Sequence, residues 1–313
     1  MSSRHPIRAR LETAATRWSF KLIPHLPRRA VVVLARFAGM LGYRFSPKLR
    51  RIGEANLDLA FGDQRSKAEK ADILRRSFQS FALVMLDAFW FSHDSEARIA
   101  RWVRFNPEFE TLFKAKPHIC VTAHYGNWEV MGMAINSRGY QLHSVAKPLK
   151  NREVDEQFIA ARRRTGQQII RRQGAVRGLL RAVLAGDKVA LVLDQNTRVS
   201  EGGRYVPFFG LPVLVSTAPA ALAIKTKTDL FVGMMTPQPD GSYLGDFGRE
   251  IPIAPYLDME PEAAALALTA HVTEILEQFL REQPRHWLWT YKRWKYVPAN
   301  WEQGGYPFYA RPG

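Results

Sequence analysis

Cysteine is almost absent from the chain. One residue, Cys120, stands among 313, which excludes an internal disulfide framework and any cysteine-based metal cluster and suits a reducing compartment. No zinc-ligand spacing, P-loop, dinucleotide fingerprint or internal repeat occurs, so metal, nucleotide and solenoid classes lose their usual signals. Acid is scarce at the N-terminus: residues 1–52 carry twelve Lys or Arg against a single acid, Glu12. Uninterrupted apolar length is missing too. Residues 28–45 are apolar but broken by Arg36 and Arg44, short of the roughly 20 residues of a spanning helix. No small-x-small cleavage pattern follows that run cleanly, which argues against a signal peptide.

What is present belongs to a globular chain. Hydrophobic residues make up 46% and charged residues 24%, enough for a sizeable core and against global disorder. The length holds one large domain with an accessory segment or two small domains. The net charge of +16 is concentrated in the first 52 residues. Such an arm suits nucleic acid or an anionic membrane surface. The apolar, Arg-punctuated stretch 28–45 favours the membrane, as a basic amphipathic helix lying in the interface with its cations reaching the phosphates; a core helix of a soluble protein is the plainer alternative. The chain accordingly divides into a basic amphipathic segment, residues 1–52, and a second unit, residues 53–313.

Periodicity fills in the second unit. Residues 46–63 read as an amphipathic helix closed by Gly62. Ser66 and Glu69 form a capping box for a long helix to Trp90, whose Ile73, Leu74, Phe78, Phe81, Met85 and Phe89 fall at helical spacing and read as core. Strands are expected at 118–123, 142–146 (ending near Lys147), 189–193, 230–235 and 243–247, and helices at 128–134, 151–165, 176–185 and 261–281. This alternation with short connections predicts an α/β fold.

The stretch Cys120-Val-Thr-Ala-His-Tyr-Gly-Asn-Trp-Glu129 organises the rest. An apolar strand ends at His124, Gly126 and Asn127 form a turn, and a helix starts at Trp128. Loops at strand C-termini are where α/β folds carry chemistry. On one continuous helix His124 and Glu129 would face apart; the turn lets the carboxylate reach back to the imidazole, fix its tautomer and make it a base. A surface or capping pair is the plainer reading of the same residues. Residues 189–193 deliver Asp194-Gln195-Asn196 to the same rim, Asp194 also being an ordinary turn former. The run Arg162-Arg163-Arg164 before Gly166 is a solvated helix face on charge pattern alone. Ser216-Thr217-Ala218-Pro219 opens a helix, where hydroxyls and amides either cap it or hold an anion. In the tail, Trp287-Leu-Trp-Thr-Tyr-Lys-Arg293-Trp interleaves aromatics with bases, compatible with a nucleic-acid platform, an interfacial belt or a strand with one buried face.

His124-Tyr-Gly-Asn-Trp-Glu129 resembles the His-x4-Glu/Asp motif of the bacterial lysophospholipid acyltransferase superfamily, and the flanking residues resemble the late acyltransferases of lipid A biosynthesis. Asn56-Leu57 with Ala60-Phe61-Gly62, Asp194-Gln195, Val206-Pro-Phe-Phe-Gly210 and the Trp-rich tail resemble further family segments in order, so the likeness spans nearly the whole chain. It implies a mixed β-sheet flanked by helices, of glycerolipid acyltransferase type, with an N-terminal membrane-associating helical segment; since some members have a spanning helix, a single span stays open. It implies transfer of an acyl chain from acyl carrier protein or acyl-coenzyme A to a lipid A precursor or another glycolipid, phospholipid or aminolipid, on anionic lipids at the cytoplasmic face of the inner membrane. His124 would be the general base oriented by Glu129, with Asp194 beside them. An arginine before Gly166, Arg164 ahead of Arg162, would reach the site, and backbone N–H groups after His124, Arg164 or both would meet the oxyanion. Asn127, Arg162, Gln195, Ser216, Thr217 and Arg293 would contact substrate. No metal, no cofactor beyond the acyl donor, no covalent intermediate and no nucleic acid is implied; Cys120 reads as a small buried hydrophobe. The competing class is a basic nucleic-acid- or membrane-binding protein in which His124 and Glu129 are structural.

Overall fold

The computed structural model describes residues 6–109, 112–114, 116–146, 148–171, 174–302 and 304–313. Lys147, expected near a strand end, lies outside them. Four helices lead: α1 (Pro6–Leu22), α2 (Arg28–Phe45), α3 (Pro47–Phe61) and α4 (Lys67–Trp90). Proline at the start of α3 and Gly62 at φ 46° after it delimit that helix, as a missing N–H and a missing Cβ allow. The boundary suggested at residue 52 falls inside α3. The capping box of α4 is formed: Ser66 Oγ accepts from Glu69 N at 3.3 Å and Ser66 N donates to Glu69 Oε2 at 2.8 Å.

The remaining chain alternates: α5 (Ser95–Trp102), β1 (Val103–Phe105), β2 (Ile119–Thr122), α6 (Trp128–Ser137), β3 (Leu142–Ala146), α7 (Arg152–Arg164), β4 (Gln168–Arg171), α8 (Ala175–Leu184), β5 (Lys188–Val192), β6 (Gly203–Phe208), β7 (Leu211–Ser216), α9 (Ala218–Thr226), β8 (Leu230–Pro237), β9 (Tyr243–Ile251) and α10 (Pro261–Glu282). Seven strands form one sheet in the order β1-β9-β8-β2-β5-β3-β4. All neighbours are parallel except β8 and β9, so the sheet is mixed and flanked by helices. Strands β2 and β8 at its centre are buried almost throughout, as strands covered on both faces must be. A separate hairpin joins β6 to β7 through Phe209 and Gly210, both at positive φ; this geometry matches the strand twist.

Two buried clusters sandwich the sheet. One joins α3, α4, α8, α9 and α10 to Trp287, Trp289 and Trp294, and the other joins α2, α4, α5 and α6 to Phe109 and Phe231. The three tryptophans are buried to within 1% and pack on Phe208 and Phe209, so the tail is core in turns, with a single bridge from Trp287 to Tyr125, and neither a platform nor a strand.

Helix α2 buries Val31, Val32, Ala35 and Gly39 against α4. A Cβ on Gly39 would stand 2.4 Å from the Gln79 backbone, so only glycine permits this approach. The opposite side exposes Val33, Phe37, Met40, Leu41 and Phe45, and α1 exposes Ile7, Leu11, Trp18 and Leu22. No helix among the described residues is long and apolar enough to cross a membrane.

Candidate active site

The ends of neighbouring parallel strands create the site. Thr122 of β2 is in register with Val192 of β5, and two residues beyond each stand His124 and Asp194. His124 N donates to Asp194 Oδ2 at 2.8 Å, and His124 Nδ1 lies 2.7 Å from Asp194 Oδ1. Trp287 Nε1 donates to Asp194 Oδ2 at 2.7 Å. Asp194 is 5% exposed; burial pushes its pKa up, but the His124 charge and the bonds from His124 and Trp287 bring it below the ordinary carboxylate value. A buried acceptor-only carboxylate assigns the proton to Nδ1 and leaves Nε2 as the basic atom. Burial works against the His124 imidazolium, yet Asp194 and, more remotely, Glu129 raise its pKa. The Trp128 ring meets the imidazole edge at 4.8 Å.

Glu129 is therefore not the partner of His124. Gly126, at φ 53°, lies so close to β8 that a Cβ would stand 1.7 Å from Met235 O. The turn this imposes starts α6 with Glu129 facing α7, where Arg162 binds it bidentately: Nε donates to Oε2 at 2.8 Å and Nη2 to Oε1 at 2.7 Å. The choice between arginines is corrected likewise. Arg162 follows Phe158 by four residues, on the inward stripe, and lines the cavity with it, whereas Arg164 is exposed.

Gln195 Nε2 is 3.3 Å from His124 Nε2, at the side of the imidazole open to the cavity. Ser216 also lines the cavity, while accepting from Ala218 N at 3.3 Å; Thr217 donates to Gly202 O at 3.2 Å. Asn127 does not face substrate: fully buried, it caps α6 through Val130 N at 3.0 Å and donates to Asp87 Oδ2 at 3.1 Å and to the Tyr243 hydroxyl at 3.0 Å. Nor does Arg293. It is 2% exposed and donates to Leu214 O at 3.1 Å and to Asn196 Oδ1 at 3.4 Å beneath the loop, where burial lowers its pKa to about 10. Turn amides are also engaged: those of Tyr125, Gly126 and Asn127 donate to Ala123 O, His286 O and Met235 O. The side-chain donors at the cavity beside His124 are Gln195 and Arg162. Trp287, Trp128 and Asp87 are site supports that spacing did not single out; only the buried-aromatic character of the tail hinted at Trp287.

His124, Glu129, Arg162 and Gln195 stand at a cavity of about 620 Å³ that continues between α6 and the sheet past Cys120, Met131, Gly132, Ile135, Leu142 and Phe231. Burial pushes the Cys120 thiol up to about 12, which disfavours the thiolate form a nucleophile needs. No group of three or more metal-ligating side chains is gathered among the described residues. A carboxylate-held imidazole therefore stands at a cavity whose lining is largely apolar.

The family model for bacterial lipid A biosynthesis acyltransferases matches residues 3–296, and the chain belongs to that family: it is an acyltransferase with a lipid acceptor. It is 23% identical over 283 residues to the lipid A biosynthesis palmitoleoyltransferase of Escherichia coli, covering 88% of each chain. It is similar to the lipid A biosynthesis acyltransferase of Haemophilus influenzae, 23% identical over 79% of this chain and 78% of the relative. A phosphatidylinositol mannoside acyltransferase of Mycobacterium tuberculosis is 25% identical over 55% of this chain and 52% of its own.

Proposed function

We propose that the protein transfers a fatty acyl chain from an acyl thioester to a hydroxyl of a lipid A precursor, with His124 as general base held by Asp194. The carrying observation is the 2.7 Å contact of His124 Nδ1 with Asp194 at the mouth of the apolar cavity. The acceptor hydroxyl gives its proton to His124 Nε2 as its oxygen bonds to the thioester carbonyl carbon. Gln195 and Arg162 donate to the oxyanion, each in the role for which single donors contribute on the order of 10²–10³-fold. Collapse breaks the C–S bond, and the imidazolium returns the proton to the leaving sulfur. Glu129 acts through Arg162, holding its guanidinium at the cavity.

The donor is acyl carrier protein or acyl-coenzyme A. The positive charge of the chain suits an acidic carrier protein. Membrane engagement follows from the outward apolar faces of α1 and α2, edged by Arg10, Arg36 and Arg44, which fit the interfacial mode at the cytoplasmic leaflet of the inner membrane. Met85 and Leu149, both exposed, line the cavity mouth and would let the acceptor present its hydroxyl from the bilayer. A second reading keeps the chemistry on another glycolipid; the similarity to a phosphatidylinositol mannoside acyltransferase favours it.

The test is acyl transfer in detergent from labelled acyl carrier protein and acyl-coenzyme A to a tetra-acylated lipid A precursor and to mannosylated phosphoinositides. Wild-type transfer that collapses in His124→Ala supports the assignment. Transfer surviving that substitution would remove His124 as the base, and preference for the phosphoinositide would select the second reading.

A further inference from the structure

Among the described residues that line the apolar cavity, one buried polar atom is without a hydrogen-bond partner. Gln167, the residue before β4, is 4% exposed and lines the cavity, and its Oε1 makes no hydrogen bond. Its Nε2 donates to Ser144 Oγ at 3.2 Å, and among the described residues the Ser144 hydroxyl has no acceptor for its own proton. The amide lies across α6 at Gly132, where a Cβ would stand 2.5 Å from Gln167 Nε2, so the missing side chain there makes room for it. Leaving a buried acceptor unpaired is costly, and a saturated chain sliding past offers nothing in return. A hydroxyl offers both halves: it donates to Gln167 Oε1 and accepts from Ser144 Oγ.

We propose that Gln167 and Ser144 form a subsite for a hydroxyl carried in the distal half of the acyl chain. This rests on the reading of the cavity as the acyl site. The position follows from register. Ser144 pairs with Ala190, and Ala190 with Cys120; Cys120 is four residues before His124, roughly 13 Å along a strand at about 3.3 Å per residue. A chain whose carbonyl lies at His124 reaches that level well beyond its third carbon. A 3-hydroxyl stays near the mouth and misses the subsite.

The experiment is calorimetric binding of three free acids to the intact protein: octadecanoate, 12-hydroxyoctadecanoate and 3-hydroxyoctadecanoate. The wild type should bind the 12-hydroxy acid about tenfold or more tightly than the other two, since sites built to bond a hydroxyl discriminate against analogues lacking it. Gln167→Leu should abolish that preference and bind octadecanoate better than wild type does; Ser144→Ala, the milder change, should reduce the preference with circular dichroism unaltered. Equal binding of octadecanoate and its 12-hydroxy form would mean that a buried water satisfies Gln167 and would overturn the proposal, as would a preference for the 3-hydroxy acid or one that survives both substitutions. Binding of none of the acids would sink the acyl-site reading itself and the subsite with it. Acyl transfer by the wild type from any saturated donor, whatever the hydroxyl preference, reports on the reaction alone.

Discussion

At the level of single residues, chemistry depends on which carboxylate holds His124. Asp194 contacts Nδ1 directly and favours the imidazolium, so the basic form of His124 prevails only above a pKa that lies higher than the ordinary imidazole value. The acidic limb of kcat against pH should therefore stand above that value in the wild type. In Asp194→Asn the stabilising charge is gone, and the limb should move to lower pH while the plateau falls by at least about 10²-fold, the lower range for a general base; an unmoved limb would show that another group titrates. Arg162 and Arg164 make a second comparison. Arg162 is paired with Glu129 beside the cavity and Arg164 faces solvent. Arg162→Ala should cost about 10²–10³-fold in kcat, as loss of an oxyanion donor does, whereas Arg164→Ala should stay within about twofold, near the ±0.5 kcal/mol typical of surface changes. Equal losses in the two variants would reassign the run to donor or lipid binding.

Among the elements, one buried network ties the N-terminal helices to the catalytic turn. Arg28 of α2 binds Asp87 of α4 through Nη1 and Nη2 and Gly241 O through Nε at 2.7 Å; Asp87 in turn accepts from Tyr243 and from Asn127, which caps α6 next to the His124 turn. Asp87→Ala would leave the Arg28 charge buried without its partner and should lower unfolding stability by about 3–5 kcal/mol, read as a shift of the denaturation midpoint in detergent. A loss under 1 kcal/mol would mean that water reaches the gap. This network also marks how far sequence reasoning extends. The strand ending at His124, the turn, the start of α6 and the capping box of α4 were legible because each rests on neighbours within a few residues. Asp194 as the partner of His124 was not, because it depends on the parallel register of β2 and β5, elements 70 residues apart. The inward turn of Arg162 was accessible from its i+4 relation to Phe158, but only once the face of α7 was known. The turn in the β6–β7 hairpin carries Phe209 at positive φ, a residue that gives no turn signal, and β4 is too short and polar to announce itself. Arg293 and Asn127, polar types near a motif, suggest substrate contact in sequence and prove to be internal braces.

Across the whole molecule, charge and apolar surface coincide at one end. Eight of the twelve bases of residues 1–52 lie on α1 and α2, and α2 presents Phe37 at 61% and Phe45 at 73% exposure. The inner sides of these helices are committed to α4 and, through Asn151 on Ala9 O at 3.0 Å, to the start of α7. An interfacial helix draws on both buried apolar area and attraction to anionic lipid, and basic residues near such a surface contribute about 1 kcal/mol each. Two separable signatures result. Sedimentation with vesicles should be strong when they contain anionic lipid and should weaken as salt rises toward 1 M, where the Debye length falls to about 3 Å. The double substitution Phe37→Asp with Phe45→Asp should abolish binding even at low salt, while transfer to a detergent-dispersed acceptor persists, because neither side chain belongs to the cavity or the core. Salt-insensitive binding would make the apolar faces sufficient by themselves. Undiminished binding by the double variant would move the contact to another surface. Loss of transfer in detergent along with loss of vesicle binding would mean that these helices do more than bring the site to its lipid, and that the Arg28–Asp87 connection carries their position into the turn at His124.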